Sequence, residues 1–257
     1  MLILAALAAA QAAAPVAEPR LPPSLADRYQ QCVGLATGND PHNGELDAIA
    51  WQQTSGKFFA RQCLGIALAN QGKWADAAKA FEGAADEAEV ARDNRAARYW
   101  SQAGNAWLAA GNPAKARTAL DAALTAGTLE NPERGEAAFD RARALVALGD
   151  LPSARVDMDL AEKLEPKDPL IWLSSATLAR RMRDIPRAKL DIIEAYKLSA
   201  DDASVNLEIG NIAAASGDLD GARMAWTDAK RIGGDGPVGK LAADSLKQLD
   251  APAPKKP

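Results

Sequence analysis

The sequence repeats itself. Laid out at a 34-residue period, five units begin at Phe58, Ala97, Gly135, Pro169 and Ala203, with spacings of 39, 38, 34 and 34 residues, the two longer ones reading as loop insertions. Position 20 of the units is Ala77, Ala116, Ala154, Ala188 and Ala222, and position 27 is Ala84, Ala123, Ala161, Ala195 and Ala229. Alanine is about a quarter of the chain, so ten matches by chance have a probability on the order of one in a million, before allowing for the choice of register. A period of this length means that each unit is one supersecondary element, unable to bury its apolar face alone, which leans on its neighbours.

The remaining columns read as two helices packed antiparallel. Position 8 is small throughout (Gly65, Gly104, Ala142, Ala176, Gly210), which lets the helices cross at the short end of the usual interaxial range. Position 24 is large and apolar (Phe81, Leu120, Met158, Ile192, Trp226), and position 17 is apolar too (Trp74, Pro113, Leu151, Ile185, Leu219); both columns are expected to fill the space between helices. Position 15 is glycine in four units (Gly72, Gly111, Gly149, Gly217), as a left-handed helix end requires. The next residue is Asn112, Asp150, Asp184 or Asp218 in four of the five, ready to cap the second helix. Arg183 replaces the glycine of the fourth unit and Lys73 the cap of the first, so these two turns should be the weaker ones.

Small residues at positions 8, 20 and 27, aromatic or aliphatic residues at 11 and 24, and Pro166 at position 32 of the third unit resemble tetratricopeptide repeats. The resemblance covers residues 58–236, and position 4 departs from it (Arg61, Trp100, Ala138, Trp172, Asn206). It implies an all-α fold: a right-handed α-solenoid of antiparallel helix pairs. Upstream, residues 24–57 read as a degenerate sixth unit, with helices over Leu25–Ala36 and Asn43–Gln53 around the turn signal Gly38-Asn39-Asp40-Pro41. Downstream, apolar spacing over Pro237–Leu249 predicts a capping helix across 237–250. Residues 15–23 and the tail 251–257 are proline-rich and read as extended flanks.

Residues 1–14 form an uncharged apolar stretch ending near Ala10-Gln11-Ala12, a small-x-small pattern that reads as a secretory signal; an alanine-rich leader is the alternative. The apolar part is shorter than the roughly 20 residues of a bilayer span. Cys32 and Cys63 fall on the first helices of consecutive units, which lie side by side in a solenoid. With an apparent export signal and an even cysteine count, a Cys32–Cys63 disulfide in the bacterial periplasm or an equivalent oxidising space is expected, two buried thiols being the alternative. Thirty basic against 34 acidic residues argue against a polyanion-binding protein. One histidine and two cysteines are too few for a structural zinc site, so neither metal nor cofactor is expected.

No phosphate loop, HExxH, CxxC or GxSxG occurs, and His42 lies in a polar turn, which leaves no motif for catalysis. The resemblance instead implies a concave groove lined by positions 2, 5, 9 and 12, which in this family receives a peptide or a protein segment. Carried over, these positions offer Phe59, Phe139, Leu170 and Leu173 as apolar anchors, Arg98, Arg143 and Arg180 as carboxylate holders, and Asn105 and Asn211 as grips on a peptide backbone. The face reads as mixed apolar and cationic. The family's clamp for a terminal carboxylate is not met, since Gln62 with Ile66 and Ser101 with Asn105 stand where a basic residue and asparagine belong. The expected function is a non-catalytic scaffold for a protein or peptide partner in the cell envelope, without nucleic acid; an accessory or regulatory subunit of an envelope enzyme is the alternative.

Overall fold

A computed structural model describes residues 22–250 and consists, among those residues, of thirteen α-helices without a strand. In chain order these are α1 (Pro23–Ala36), α2 (Pro41–Gln52), α3 (Lys57–Asn70), α4 (Trp74–Val90), α5 (Ala96–Ala109), α6 (Pro113–Thr125), α7 (Glu133–Leu148), α8 (Leu151–Leu164), α9 (Pro169–Arg181), α10 (Ile185–Leu198), α11 (Ala203–Ala215), α12 (Leu219–Gly233) and α13 (Pro237–Leu249). Each helix packs on its neighbours in sequence, and first helices also meet across units, α1 on α3, α5 on α7, α9 on α11. The result is an α-solenoid of helix pairs.

The turns follow from local chemistry. Gly72, Gly111, Gly149 and Gly217 sit at φ between 72° and 84°, and Arg183 is forced into the same left-handed region at φ 64°. In all five units the position-16 amide donates back to the position-11 carbonyl at 2.9–3.0 Å, as in Lys73 to Leu68 and Asp218 to Ala213. Asn112, Asp150, Asp184 and Asp218 then accept from the amides of Lys115, Ser153, Arg187 and Gly221, while Lys73 offers α4 no side-chain cap.

The alanine columns are the seam. All ten lie on the second helices and have 0% exposure, because the neighbouring helices pack against that face too closely for a larger side chain. Between them on the same face of the second helix, the position-24 residues Phe81, Leu120, Met158, Ile192 and Trp226 are buried against the first helix. At position 8, a Cβ added to Gly65 would lie 2.5 Å from Phe81 Cε1, and one added to Gly104 or Gly210 would run into Leu120 or Trp226. Glycine there is a condition of the crossing.

Two expectations are corrected. Position 17 fills the interior only in part: it is the first residue of each second helix, and while Leu151 and Ile185 pack partly buried against the core, Trp74 and Leu219 are 39% and 53% exposed. A helix start lies at the end of the pair, where its side chain turns partly to solvent. The first long spacing is also not only loop, since α4 runs 17 residues against 14 in α8 and α10 before the chain turns.

At the N-terminal end, α1 and α2 pack on each other and on α3. Asp40 caps α2 by accepting from the amide of His42, whose ring Nδ1 lies 3.3 Å from Glu45. Cys32 and Cys63 are joined by a disulfide with their Cα atoms 6.2 Å apart, both fully buried among Trp51, Phe58 and Phe59. At the other end α13 lies on α12 and α11, burying Ala242 beside Trp226 while Leu241 stays exposed. The apolar stretch 1–14, most of the 15–23 flank and the 251–257 tail lie outside the described residues.

Candidate functional site: the first-helix face

The first helices present positions 2, 5, 9 and 12 on one continuous face, and two cavities open on it. The first, of about 300 Å³, lies among α3, α5 and α7; Phe81, Ile66 and Trp74 supply apolar walls, and Ser101, Gln102, Asn105, Glu136 and Asp140 supply polar groups. The second, of about 320 Å³, lies between α7 and α9, with Val146, Met158, Leu173 and Leu178 as apolar lining and Ser174, Thr177, Arg143 and Arg181 completing it. The helix repeat explains both. Position 24 of the second helix forms part of each cavity (Phe81, Met158), and residues at positions 5, 9 and 12 of the first helices surround it.

The expected site residues divide into groups. Asn105 lines the first cavity, and Arg143 and Leu173 line the second. Asn105 Nδ2 donates to Asp140 Oδ2 at 2.8 Å, and Arg143 donates to the other oxygen of the same carboxylate at 2.8 Å, so Asp140 ties the two cavities together. Arg180 and Asn211 meet on Glu208: the guanidinium donates at 2.6 and 3.1 Å and the amide at 2.9 Å, while Trp226 donates to Asn211 Oδ1 at 3.1 Å. Arg98 pairs with Glu133 at 2.8 Å. Leu170 is exposed at the start of α9.

Two anchors are not open. Phe59 and Phe139 are only 7% and 8% exposed, because each sits in the contact between units with a cation above it. Arg95 lies 4.8 Å from the Phe59 ring and Arg143 lies 5.8 Å from the Phe139 ring. Of the two cations, Arg95 is itself buried while Arg143 is half-exposed, so over Phe139 a partner meets the arginine first. The face is also not simply cationic, since Arg98, Arg143 and Arg180 each hold a carboxylate of this chain.

The sequence reading missed the polar groups at position 6, Gln102, Asp140 and Glu208. Asp140 and Glu208 both stand at position 6, beside the groove positions rather than on them. Across the N-terminal units, Tyr29 donates to Gln62 at 2.8 Å and Gln62 donates to Gln102 at 3.1 Å, a polar ladder over α1, α3 and α5. Glu136 is held above the usual carboxylate range, chiefly by its partial burial and then by the negative charges of Glu133, Glu165, Asp140 and Asp168. An acidic residue at position 6 was the available signal.

The strongest carboxylate cluster lies elsewhere. Between the third and fourth units, Glu162 accepts from Arg155 at 2.7 Å and from Arg187 at 2.6 Å, and Asp191 accepts from Arg187 at 2.6 Å and from the Ser175 hydroxyl. Burial pushes the Glu162 carboxyl up, against the pull of Ser175 and the two arginines. These groups line neither first-helix cavity. Guanidinium donors saturate them, so the cluster ties the helices together and offers no acid to a bound molecule. Among the described residues no group of three or more histidine, cysteine or carboxylate side chains is arranged to hold a metal, and no helix is long and apolar enough to cross a membrane.

Comparisons with known proteins agree with this architecture. No curated protein matches the chain. Among solved structures it is similar to PilF of Pseudomonas aeruginosa, at 16% identity and a TM-score of 0.70 over 88% of this chain and 97% of that one. PilW, described as a widely conserved type IV pilus biogenesis factor, aligns at 14% identity and a TM-score of 0.71, over 87% and 100% of the two chains. YrrB, described as carrying an unusual peptide-binding site, aligns at 18% identity and a TM-score of 0.61, over 77% and 96%. The tetratricopeptide repeat family model matches residues 64–128, 101–169 and 173–237, more than half of the sequence. With the alanine seams, the glycine crossings and the capped turns, that match makes the chain a member of the tetratricopeptide repeat family.

Proposed function

We propose that the protein is a non-catalytic scaffold that receives an extended or helical segment of a partner protein on its first-helix face, and that it works in the bacterial cell envelope. The observation that carries the reading is the pair of cavities, each of a size to take one or two side chains and lined in part by residues at the family's peptide-binding positions, among them Ser101, Asn105, Arg143, Leu173 and Thr177. The peptide-binding site ascribed to YrrB supports it by analogy of fold. The disulfide supports an oxidising compartment, and the apolar stretch at residues 1–14 supports export.

The test is site-specific photocrosslinking in the intact envelope. A photoreactive side chain at Ser101 or Thr177, both on the cavities, is expected to give one discrete protein adduct. The same group at Met224, exposed on α12, is expected to give none. Adducts from Met224 alone would place the partner on the opposite face and refute the reading.

A further inference from the structure

The two cavities differ in charge, and that difference says what kind of segment fits. This inference rests on the groove reading and goes beyond it. The cavity among α3, α5 and α7 has an acidic rim: Glu136 is exposed and has no ion-pair partner among the described residues, and Asp140 lies beside it. Partial burial first, and then the neighbouring acids, disfavour the Glu136 carboxylate, and because Asp140 and Glu133 already hold Arg143 and Arg98, Glu136 is the carboxylate left to pair with a cation entering the cavity. The cavity between α7 and α9 has the opposite rim. Arg181 is exposed, enters no ion pair among the described residues, and faces the same apolar lining as the half-exposed Arg143.

One helix carries both rims. Glu136 and Arg143 are seven residues apart on α7, two turns or about 10 Å, which an extended chain crosses in about three residues. We propose that the partner segment is dipolar: a lysine or arginine seated in the acidic cavity, and about three residues away an aliphatic side chain in the second cavity with an adjacent acidic side chain on Arg181 and Arg143. The opposite charges of Glu136 and Arg181 fix the order, because a segment bound in the reverse register sets acid against Glu136 and base against Arg181.

A displayed library of random 12-residue peptides, selected on the full chain with its disulfide intact, tests this. Enriched peptides are then measured by fluorescence polarisation against the wild type, Glu136→Lys, Arg181→Glu and Thr177→Trp, each checked for helical content by circular dichroism. The expected result is a basic residue about three positions from an aliphatic-acidic pair. Affinity should drop about tenfold in each charge-reversed variant, and be regained with peptides carrying the matching reversal. Binding should weaken with added salt. Peptides lost with Thr177→Trp but indifferent to both reversals would overturn the dipolar assignment and leave the groove reading standing. If no enriched peptide responds to Thr177→Trp, or if none is enriched, both fail.

Discussion

Replacing Gly65 by alanine separates the tight-crossing account from simple helix propensity, because the two predict opposite signs. The new Cβ lies 2.5, 2.6 and 2.8 Å from three ring carbons of Phe81, where carbon contacts rest at about 3.5–4.0 Å. A rigid ring at 5% exposure has to retreat by about 1 Å, and overpacking of this kind costs about 1–3 kcal/mol. Against it stands the gain of about 1 kcal/mol for alanine over glycine in a helix interior. The expected outcome is therefore a net loss of up to about 2 kcal/mol. Gly83 in α4 is the control: its added Cβ meets only the flexible Arg61 side chain, at 3.1 Å and beyond, so Gly83→Ala should stabilise by up to about 1 kcal/mol. Urea unfolding followed by far-ultraviolet circular dichroism measures both, and Gly65→Ala in a Phe81→Leu background should lose at least half of its cost. If the two glycine variants stabilise alike, the helices do not cross as closely as the structure has them.

Other perturbations report on the ends, the junction and the groove. Removing the disulfide with Cys32→Ala and Cys63→Ala should cost about 3–4 kcal/mol in the chain-entropy picture, as faster amide exchange confined to α1–α3; exchange rising evenly along the chain would contradict it. Alkylation of the denatured protein should find no free thiol before reduction and two after it. Glu136→Gln should stabilise by about 0.5 kcal/mol at neutral pH, a figure discounted for solvent screening. The Glu136 carboxyl is raised in the fold, so its ionisation costs stability as pH rises through that raised value, and the gain should vanish below about pH 4, where the group is neutral in both states; a gain that persists in acid would refute this. Asp191→Ala should cost about 3 kcal/mol, because Arg155 and Arg187 then share too few buried carboxylates, and thermal unfolding should show it. Arg183→Gly should add about 1 kcal/mol by relieving a left-handed arginine at φ 64°, measurable as a higher urea midpoint.

What the sequence determined by itself is the architecture, because its causes are local and recur. A glycine that ends a helix, an acid or amide that caps the next, and an alanine that admits a close neighbour act within one unit and leave the same mark at every period. The turns at Gly111, Gly149 and Gly217 and all ten column alanines were legible for that reason. The tertiary structure decided which groove side chains are open and what their charges face. Arg180 is neutralised by Glu208, 28 residues on, and Asn105 is held by Asp140, 35 residues on, contacts that exist only once neighbouring first helices lie side by side. The burial of Phe59 and Phe139 beside arginines, the partial exposure of Trp74 and Leu219 at position 17, and the split of the face into an acidic and a basic cavity have the same origin. Each depends on the distance between units, and a pattern read along one chain does not contain that distance.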